Sequence, residues 1–422
     1  MKTVSRRAVP ALGRFPRKVG RAVAAARAAA RERGERLFLV GGVVRDLLLE
    51  RTIRDLDFVV EGNAAAFARA LGARLGGVVR DHGRFQTASL HTSDGGRIDV
   101  ATSRRETYAH PGALPRVAPA GIEEDLARRD FTINALALEI APARTPRLLD
   151  PFGGRADLAS RRLRFLHAAS PSDDPTRAFR AVRYANRLGF EIAPGSVRAV
   201  RRAIAAKAFH AVSGDRLRRE IALVFAEPGA PGAARRLAAL GLPAALGMKL
   251  TASSRALGRL KRAESVASSW PEAAGWPLFL LAWAAERPPA ELTLLADRLG
   301  ATGDAGRALH RWGATRRLLP DLSRARRPSE TRRLLAGLTP VEAAALSVCL
   351  PPGEAERVLS AAHGTARLRI SGRDLVRAGV PPGPAIGRAL EETLDARLDG
   401  RLRASGELAY ALERAAGRGA VS

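Results

Sequence analysis

Between about residue 36 and residue 150 the apolar positions come in short runs, "LFLV", "LDFVV", "RIDVA" and "NALALEI", separated by helix-like segments and glycine-rich turns. Runs of this length, rich in branched and aromatic side chains, predict buried strands. The stretch therefore predicts a compact α/β or α+β domain. After "LLDPFGGRADL" the strand signals nearly vanish, and from about 160 onward the apolar positions recur with a helical period among Ala, Leu and Arg. Pro/Gly breaks at 227–232, 287–289, 338–340 and 380–384 predict helix ends or subdomain joints. No fixed-period repeat is visible. The pattern is that of a sheet-bearing head followed by a long helical body.

The chain has 422 residues, which favours several units with separate cores. Its 70 Lys and Arg against 42 Asp and Glu give a net charge of +28, spread along the whole length, which suggests a polyanionic partner held by phosphate contacts. Nearly all of that charge is arginine, the lysines being Lys2, Lys18, Lys207, Lys249 and Lys261. The single cysteine, Cys349, excludes an intrachain disulfide or a cysteine-based zinc site and suits a reducing, cytoplasmic setting. No apolar stretch approaches the ~20 residues of a membrane span. The Arg-rich start, residues 1–35, lacks the apolar core of a secretory signal and reads as a basic helix rather than a transit peptide.

Within "VGGVVRDLLLERTIRDLDFVV" (40–60) two carboxylates, Asp55 and Asp57, fall in an otherwise apolar strand. Residues i and i+2 of a strand share a face, so the two charges lie side by side and call for a cation. Oxygen ligands of this kind suit Mg²⁺, and two such ions can activate an attacking hydroxyl and stabilise a leaving pyrophosphate. A bare D-x-D serves equally as a turn cap beside a solvated Asp. The preceding Gly41 and Gly42 permit a tight turn before a helix whose first N–H groups favour a triphosphate, with Arg45 on its first turn. Glycines before a helix are weak evidence alone, but followed by D-x-D they form a coherent nucleotide site.

This segment resembles the signature of the class II tRNA nucleotidyltransferase (CCA-adding enzyme) and bacterial poly(A) polymerase family. Further stretches agree in order: "EEDLARRDFTINALAL" (123–138), "LLDPFGGRADLASRRLRFL", "DDPTRAFRAVRYANRLGF" (173–190), "VSGDRLRREIALVF" and "ISGRDLVRAGVPPGPAIGRAL" (370–390). The resemblance implies an α+β fold, with an N-terminal polymerase-β-like nucleotidyltransferase head followed by all-helical neck, body and tail. It places the head at 36–158, the neck at 159–230, the body at 231–340 and the tail at 341–422. The activity implied is template-independent addition of CMP and AMP, from CTP and ATP, to the 3′ end of tRNA, either as full CCA addition or as one of its half-reactions.

By the same analogy Asp55 and Asp57 bind the metal, and Asp99 in "RIDVATSR" is a third carboxylate, acting as base or further ligand; by itself it reads equally as a solvated strand-end residue. Arg128 and Arg129 suit a triphosphate clamp, and Asp130 suits a ribose 2′-hydroxyl. Asp174 followed by Pro175 is a helix N-cap pair, and it is also the start of the base-reading helix. A carboxylate there accepts from the exocyclic amine of C or A while Arg177 donates to the neighbouring ring acceptor, a pattern that G and U do not match. Arg180, Arg183 and Arg187 follow Arg177 along one side of that helix. Asp173 stands where the family carries Glu. The Gly/Pro-rich segment 99–121 takes the place of the family's mobile loop and differs from its arginine-rich form. No histidine is followed by Asp, so no HD-type phosphohydrolase is expected, and His82 reads as a structural hydrogen-bonding residue. In the tail, Ile386, Leu390, Leu394 and Leu398 read as core packing. Poly(A) synthesis and a noncatalytic RNA-binding role are the alternative readings, and nothing calls for a membrane or an obligate protein partner.

Overall fold

All four apolar runs that predict strands enter one seven-stranded sheet. The computed structural model describes residues 15, 17–53, 55–83, 86–107, 116–142, 145–364 and 367–417. It divides into two compact units, Met1–Glu220 with Ala239–Ala245, and Ile221–Ala238 with Leu246–Ser422.

In the first unit, helix α1 (Arg17–Glu32) leads into strand β1 (Arg36–Val40), helix α2 (Gly42–Leu48), strand β2 (Leu56–Glu61) and helix α3 (Ala64–Leu75). Strands β3 (Gly77–His82), β4 (Thr87–Thr92) and β5 (Arg97–Thr102) follow, then the hairpin β6 (Arg104–Thr107) and β7 (Arg116–Pro119). Helix α4 (Ile122–Ala127), a 3-10 turn (Thr132–Asn134) and strands β8 (Ala137–Ala141) and β9 (Arg147–Leu149) complete the head. The sheet runs in the order β3-β4-β5-β2-β1-β8-β9. Its neighbours are antiparallel except β2 and β5, which are parallel. "NALALEI" starts its strand later than its pattern suggests, because Asn134 closes the 3-10 turn. Between β6 and β7, residues 108–115 of the segment that replaces the family's mobile loop lie outside the described residues.

Alternation along β1 and β2 sends side chains to two layers. Phe38, Val40 and Val59 pack with Ile122 and Leu126 of α4 on one face, all of them nearly inaccessible to solvent. At about 1.5–3 kcal/mol per fully buried large apolar side chain, this layer is a principal anchor of the sheet. The expected basic N-terminal helix is α1, and it is amphipathic: Val19, Ala22, Val23, Ala26, Ala29 and Ala30 are buried.

After β9 come α5 (Gly154–Ala159), the two-residue strands β10 (Arg162–Leu163) and β11 (Glu191–Ile192), α6 (Ser170–Asp173), α7 (Thr176–Leu188), α8 (Pro194–Ala205) and α9 (Gly214–Phe225). The N-cap position of α7 is Pro175, one residue later than the spacing suggests, while Asp174 Oδ1 accepts from the Thr176 N–H at 3.1 Å, and Gly189 closes the helix at φ 70°.

The second unit is helical throughout its described residues, and the Pro/Gly breaks coincide with its joints: helices start at Ala230, Pro289, Pro340 and Pro384. Its segment Trp276–Ala284 is apolar on every side and buried from Pro277 onward, yet no helix among the described residues is long and apolar enough to cross a membrane. In the tail, Leu375, Ala389 and Ala411 form a small core flanked by Ile386 and Leu390, whereas Leu394 and Leu398 of the expected stripe are half-buried outside it and Ala389, Thr393 and Ala396 form the buried face of their helix.

Candidate active site

The parallel pairing of β2 with β5 brings two acids together. Asp57 and Asp99 are register partners, and across β5 the next partner is Ser89 of β4. Ser89 is buried and its Oγ donates to Asp99 Oδ1 at 2.6 Å, while Arg97 Nε donates to the same oxygen at 3.1 Å. His82 Nε2 lies 3.5 Å from Ser89 Oγ, which keeps it in a hydrogen-bonding setting beside the sheet. Asp99 is thus held within the sheet rather than freely solvated. Asp55 is exposed and precedes the first residue of β2, so only Asp57 of the pair is inside the strand. Burial, the Asp99 charge and the Asp55 charge push the Asp57 carboxyl up to about 6, against the pull of Arg129 and Arg97.

The turn after β1 places Gly41 and Gly42 on the same cleft as Asp57. Gly41 has φ 67°, a conformation costly for any residue with a Cβ, and a Cβ there would meet Arg129 Nη1 at 2.8 Å. The two clamp arginines share one counter-ion. Arg128 donates to Asp125 Oδ1 at 2.7 Å, and Arg129 donates to Asp125 Oδ2 at 2.9 Å. Arg128 also donates to Glu106 at 2.7 Å. Asp125 is fully buried; burial pushes its carboxyl up, but Arg129 and Arg128 bring it below the usual range.

Asp130 is the centre of a second network. Its Oδ1 accepts from the Phe131 N–H at 2.9 Å and Asn134 Nδ2 at 3.0 Å, and its Oδ2 accepts from Arg180 Nε at 2.8 Å and Nη2 at 2.5 Å. Arg177 is buried and donates to Ser170 Oγ at 2.7 Å and to the Arg128 carbonyl at 2.8 Å. Asp174 Oδ1 accepts from Thr176 Oγ1 at 2.7 Å and Arg216 Nη2 at 2.9 Å. These groups line a cleft of ≈ 510 Å³, floored by Gly41, Gly42 and Asp57 and walled by α7 and α9.

Residues 37–164 match the family model of the poly A polymerase head domain. The A-adding tRNA nucleotidyltransferase of Geobacter sulfurreducens is 32% identical over 86% of this chain, which spans 43% of that longer protein. The CC-adding tRNA nucleotidyltransferase of Deinococcus radiodurans is 34% identical over 89% of this chain and 88% of its own length. The chain belongs to the tRNA nucleotidyltransferase family. The likeness extends to solved structures: the Thermotoga maritima CCA-adding enzyme complexed with tRNA superposes with a TM-score of 0.78, at 29% identity over 96% of both chains.

Of the residues singled out in the nucleotidyltransferase sequence, Gly41, Gly42, Asp57, Arg128, Arg129, Asp130, Asp174, Arg177 and Arg180 line the cleft. Asp55, Asp99, Arg45 and Arg183 do not. Arg45 is buried, with Nη1 donating to Asn134 Oδ1 at 2.8 Å, Nε and Nη2 donating to Asp46 at 2.9 Å, and its guanidinium 5.3 Å from the centre of the Tyr184 ring. It ties α2 to the Asn134 turn and to Tyr184 of α7. Arg183 packs over the same Tyr184 ring at 5.2 Å.

Sequence reasoning missed Asp125 and Tyr184, and it found Asn134, Arg216 and Glu220 only within motifs, without a role of their own. Asp125 carried a usable signal, since i+3 and i+4 spacing on a helix sets it against Arg128 and Arg129. A divalent metal belongs to the chemistry of this family. The described residues contain no closed group of three or more His, Cys, Asp or Glu side chains around a common point. Asp57 beside Asp99, with Asp55 at the strand entrance, nevertheless fits a divalent ion. The donors are hard oxygens, and their mutual repulsion, read in the raised Asp57 carboxyl, is what a dication relieves.

Proposed function

We propose that this chain transfers CMP and AMP residues from CTP and ATP to the 3′ end of tRNA without a template, as full CCA addition or one of its steps, and releases pyrophosphate. The observation that carries this reading is one cleft in which Asp57 and the Gly41–Arg129 contact adjoin Asp174 and Arg177. Chemistry and base recognition are therefore side by side. The names of the relatives agree with both halves of the reaction.

In this reading Asp55 and Asp57 would hold Mg²⁺, which when bound would supply Lewis acidity toward the primer hydroxyl and the leaving pyrophosphate. Asp99, fixed by Ser89, is a further ligand or takes the hydroxyl proton. Arg128 and Arg129 present guanidinium edges to the triphosphate while Asp125 holds them in place. Asp174 has its Oδ1 engaged by Thr176 and Arg216, so Oδ2 faces the exocyclic amine of C or A. Arg177 uses two of its five N–H donors on Ser170 and the Arg128 carbonyl, and a remaining one serves the ring acceptor. The basic helical remainder grips tRNA through its phosphates, in the cytoplasm.

The test is incorporation from each of the four nucleoside triphosphates into tRNA lacking its 3′ terminus. CTP, ATP or both will be used with Mg²⁺, GTP and UTP will not, and Asp57→Asn will abolish transfer. Equal use of all four nucleotides would refute the assigned base reading.

A further inference from the structure

Asp130 is assigned to the ribose, yet it has no acceptor site left for one. A carboxylate offers about four lone-pair sites. Here Oδ1 accepts from the Phe131 N–H and Asn134, and Oδ2 accepts twice from Arg180. A ribose 2′-hydroxyl can bind Asp130 only after Arg180 leaves it.

The cleft contains a second carboxylate within the electrostatic reach of Arg180. Glu220 of α9 lines the same wall, and its Oε2 is buried without a hydrogen-bond partner among the described residues. Burial pushes its carboxyl above the usual range, while Arg180 and Arg183 pull the other way. In return, the guanidinium of Arg180 is held above its usual range by Asp130 first, against burial, with further help from Tyr184 and Glu220. The Tyr184 ring lies 5.8 Å from the Arg180 guanidinium and adds a cation–π contact. A buried acceptor with no donor is costly, so Glu220 gains from the transfer what Asp130 gives up.

Building on the reading of this cleft as a nucleotide site, we propose that Glu220 is a second seat for Arg180, and that moving Arg180 from Asp130 to Glu220 frees Asp130 to recognise the ribose 2′-hydroxyl. Glu220 is then a positioning residue for ribose selection, acting through Arg180 without touching the nucleotide. A Glu220 that only balances the charge of Arg183 would leave sugar selection untouched.

The experiment is equilibrium binding of ATP and of 2′-deoxyATP to the full chain in Mg²⁺ without tRNA, which does not depend on turnover. The wild type will prefer ATP by about tenfold to a hundredfold, the range for a hydrogen bond to a charged group. Glu220→Gln, which keeps the shape of the side chain, will bring the two affinities together, as Asp130→Asn does. In an Arg180→Gln background Asp130 is already free, so adding Glu220→Gln will change nothing further. This double variant also separates positioning from misfolding, because a folding defect persists in either background. A Glu220→Gln protein that keeps the wild-type preference overturns the proposal, and so does an Asp130→Asn protein that keeps it. A wild type that binds neither nucleotide refutes the nucleotide-site reading itself.

Discussion

Replacing Asp57 with asparagine will remove transfer activity and will also make the metal-free protein more stable at neutral pH. Burial and the neighbouring charges of Asp99 and Asp55 raise this carboxyl from 3.8 to about 6. A rise of roughly two pH units is on the order of 3 kcal/mol of strain in the ionised form at 1.36 kcal/mol per unit. The folded protein keeps the proton to a higher pH than the unfolded chain does. The group's stabilisation is therefore fully present below 3.8 and is lost as the pH rises through about 6. An asparagine has no charge to lose. Thermal melts in a chelating buffer will show Asp57→Asn above the wild type at pH 8 by several degrees, at about 2–4 °C per kcal/mol for a unit of this size. The gap will narrow as the pH falls from about 6 toward 4. Adding Mg²⁺ at pH 8 will raise the wild-type melting temperature and leave the variant unmoved. Equal melting temperatures at pH 8 in chelator, or a gap independent of pH, would refute the argument.

Arg45→Met tests the tie from α2 to the Asn134 turn and Tyr184. It leaves Asp46 and the Asn134 amide oxygen without their partner, and the expected cost is about 3 kcal/mol in urea unfolding, unchanged by added nucleotide. A stable variant with weakened nucleotide binding would favour a phosphate-binding role for Arg45. Gly41→Ala places a Cβ 2.8 Å from Arg129 Nη1 at a positive φ, so about 1–3 kcal/mol of strain or a displaced Arg129 follows. Steady-state kinetics will show a higher KM for the nucleotide, and wild-type kinetics would show that the close approach is not needed.

Much of the head was legible because its strands are continuous apolar runs: "LFLV" and "LDFVV" became β1 and β2 with nearly the boundaries their pattern implies. Strand β3 was not, since "GVVRDH" is an exposed edge strand with little apolar periodicity to betray it. The chemistry of "RRDFTIN" was legible as a motif, but the partners of its charges were not. Arg180 of α7 and Glu220 of α9 join those residues in the cleft through tertiary packing, which no local pattern encodes, whereas Asp125 follows from helical spacing. The partners of Arg45 were hidden for the same reason as Arg180 and Glu220, since Asn134 and Tyr184 reach it from distant parts of the chain. Asp174 was readable both ways, and its Oδ1 is engaged by the start of α7 and by Arg216 of α9.

The most direct test of the account is extension of tRNA transcripts ending in the discriminator base, in C, or in CC, with Mg²⁺ and with CTP and ATP supplied separately and together, read at single-nucleotide resolution. The account predicts addition of C, A or both that stops no later than a completed CCA, with the accepted 3′ ends showing whether the chain performs all or part of the sequence. Long A-tracts on arbitrary RNA, or RNA binding with no incorporation from either nucleotide, would contradict it.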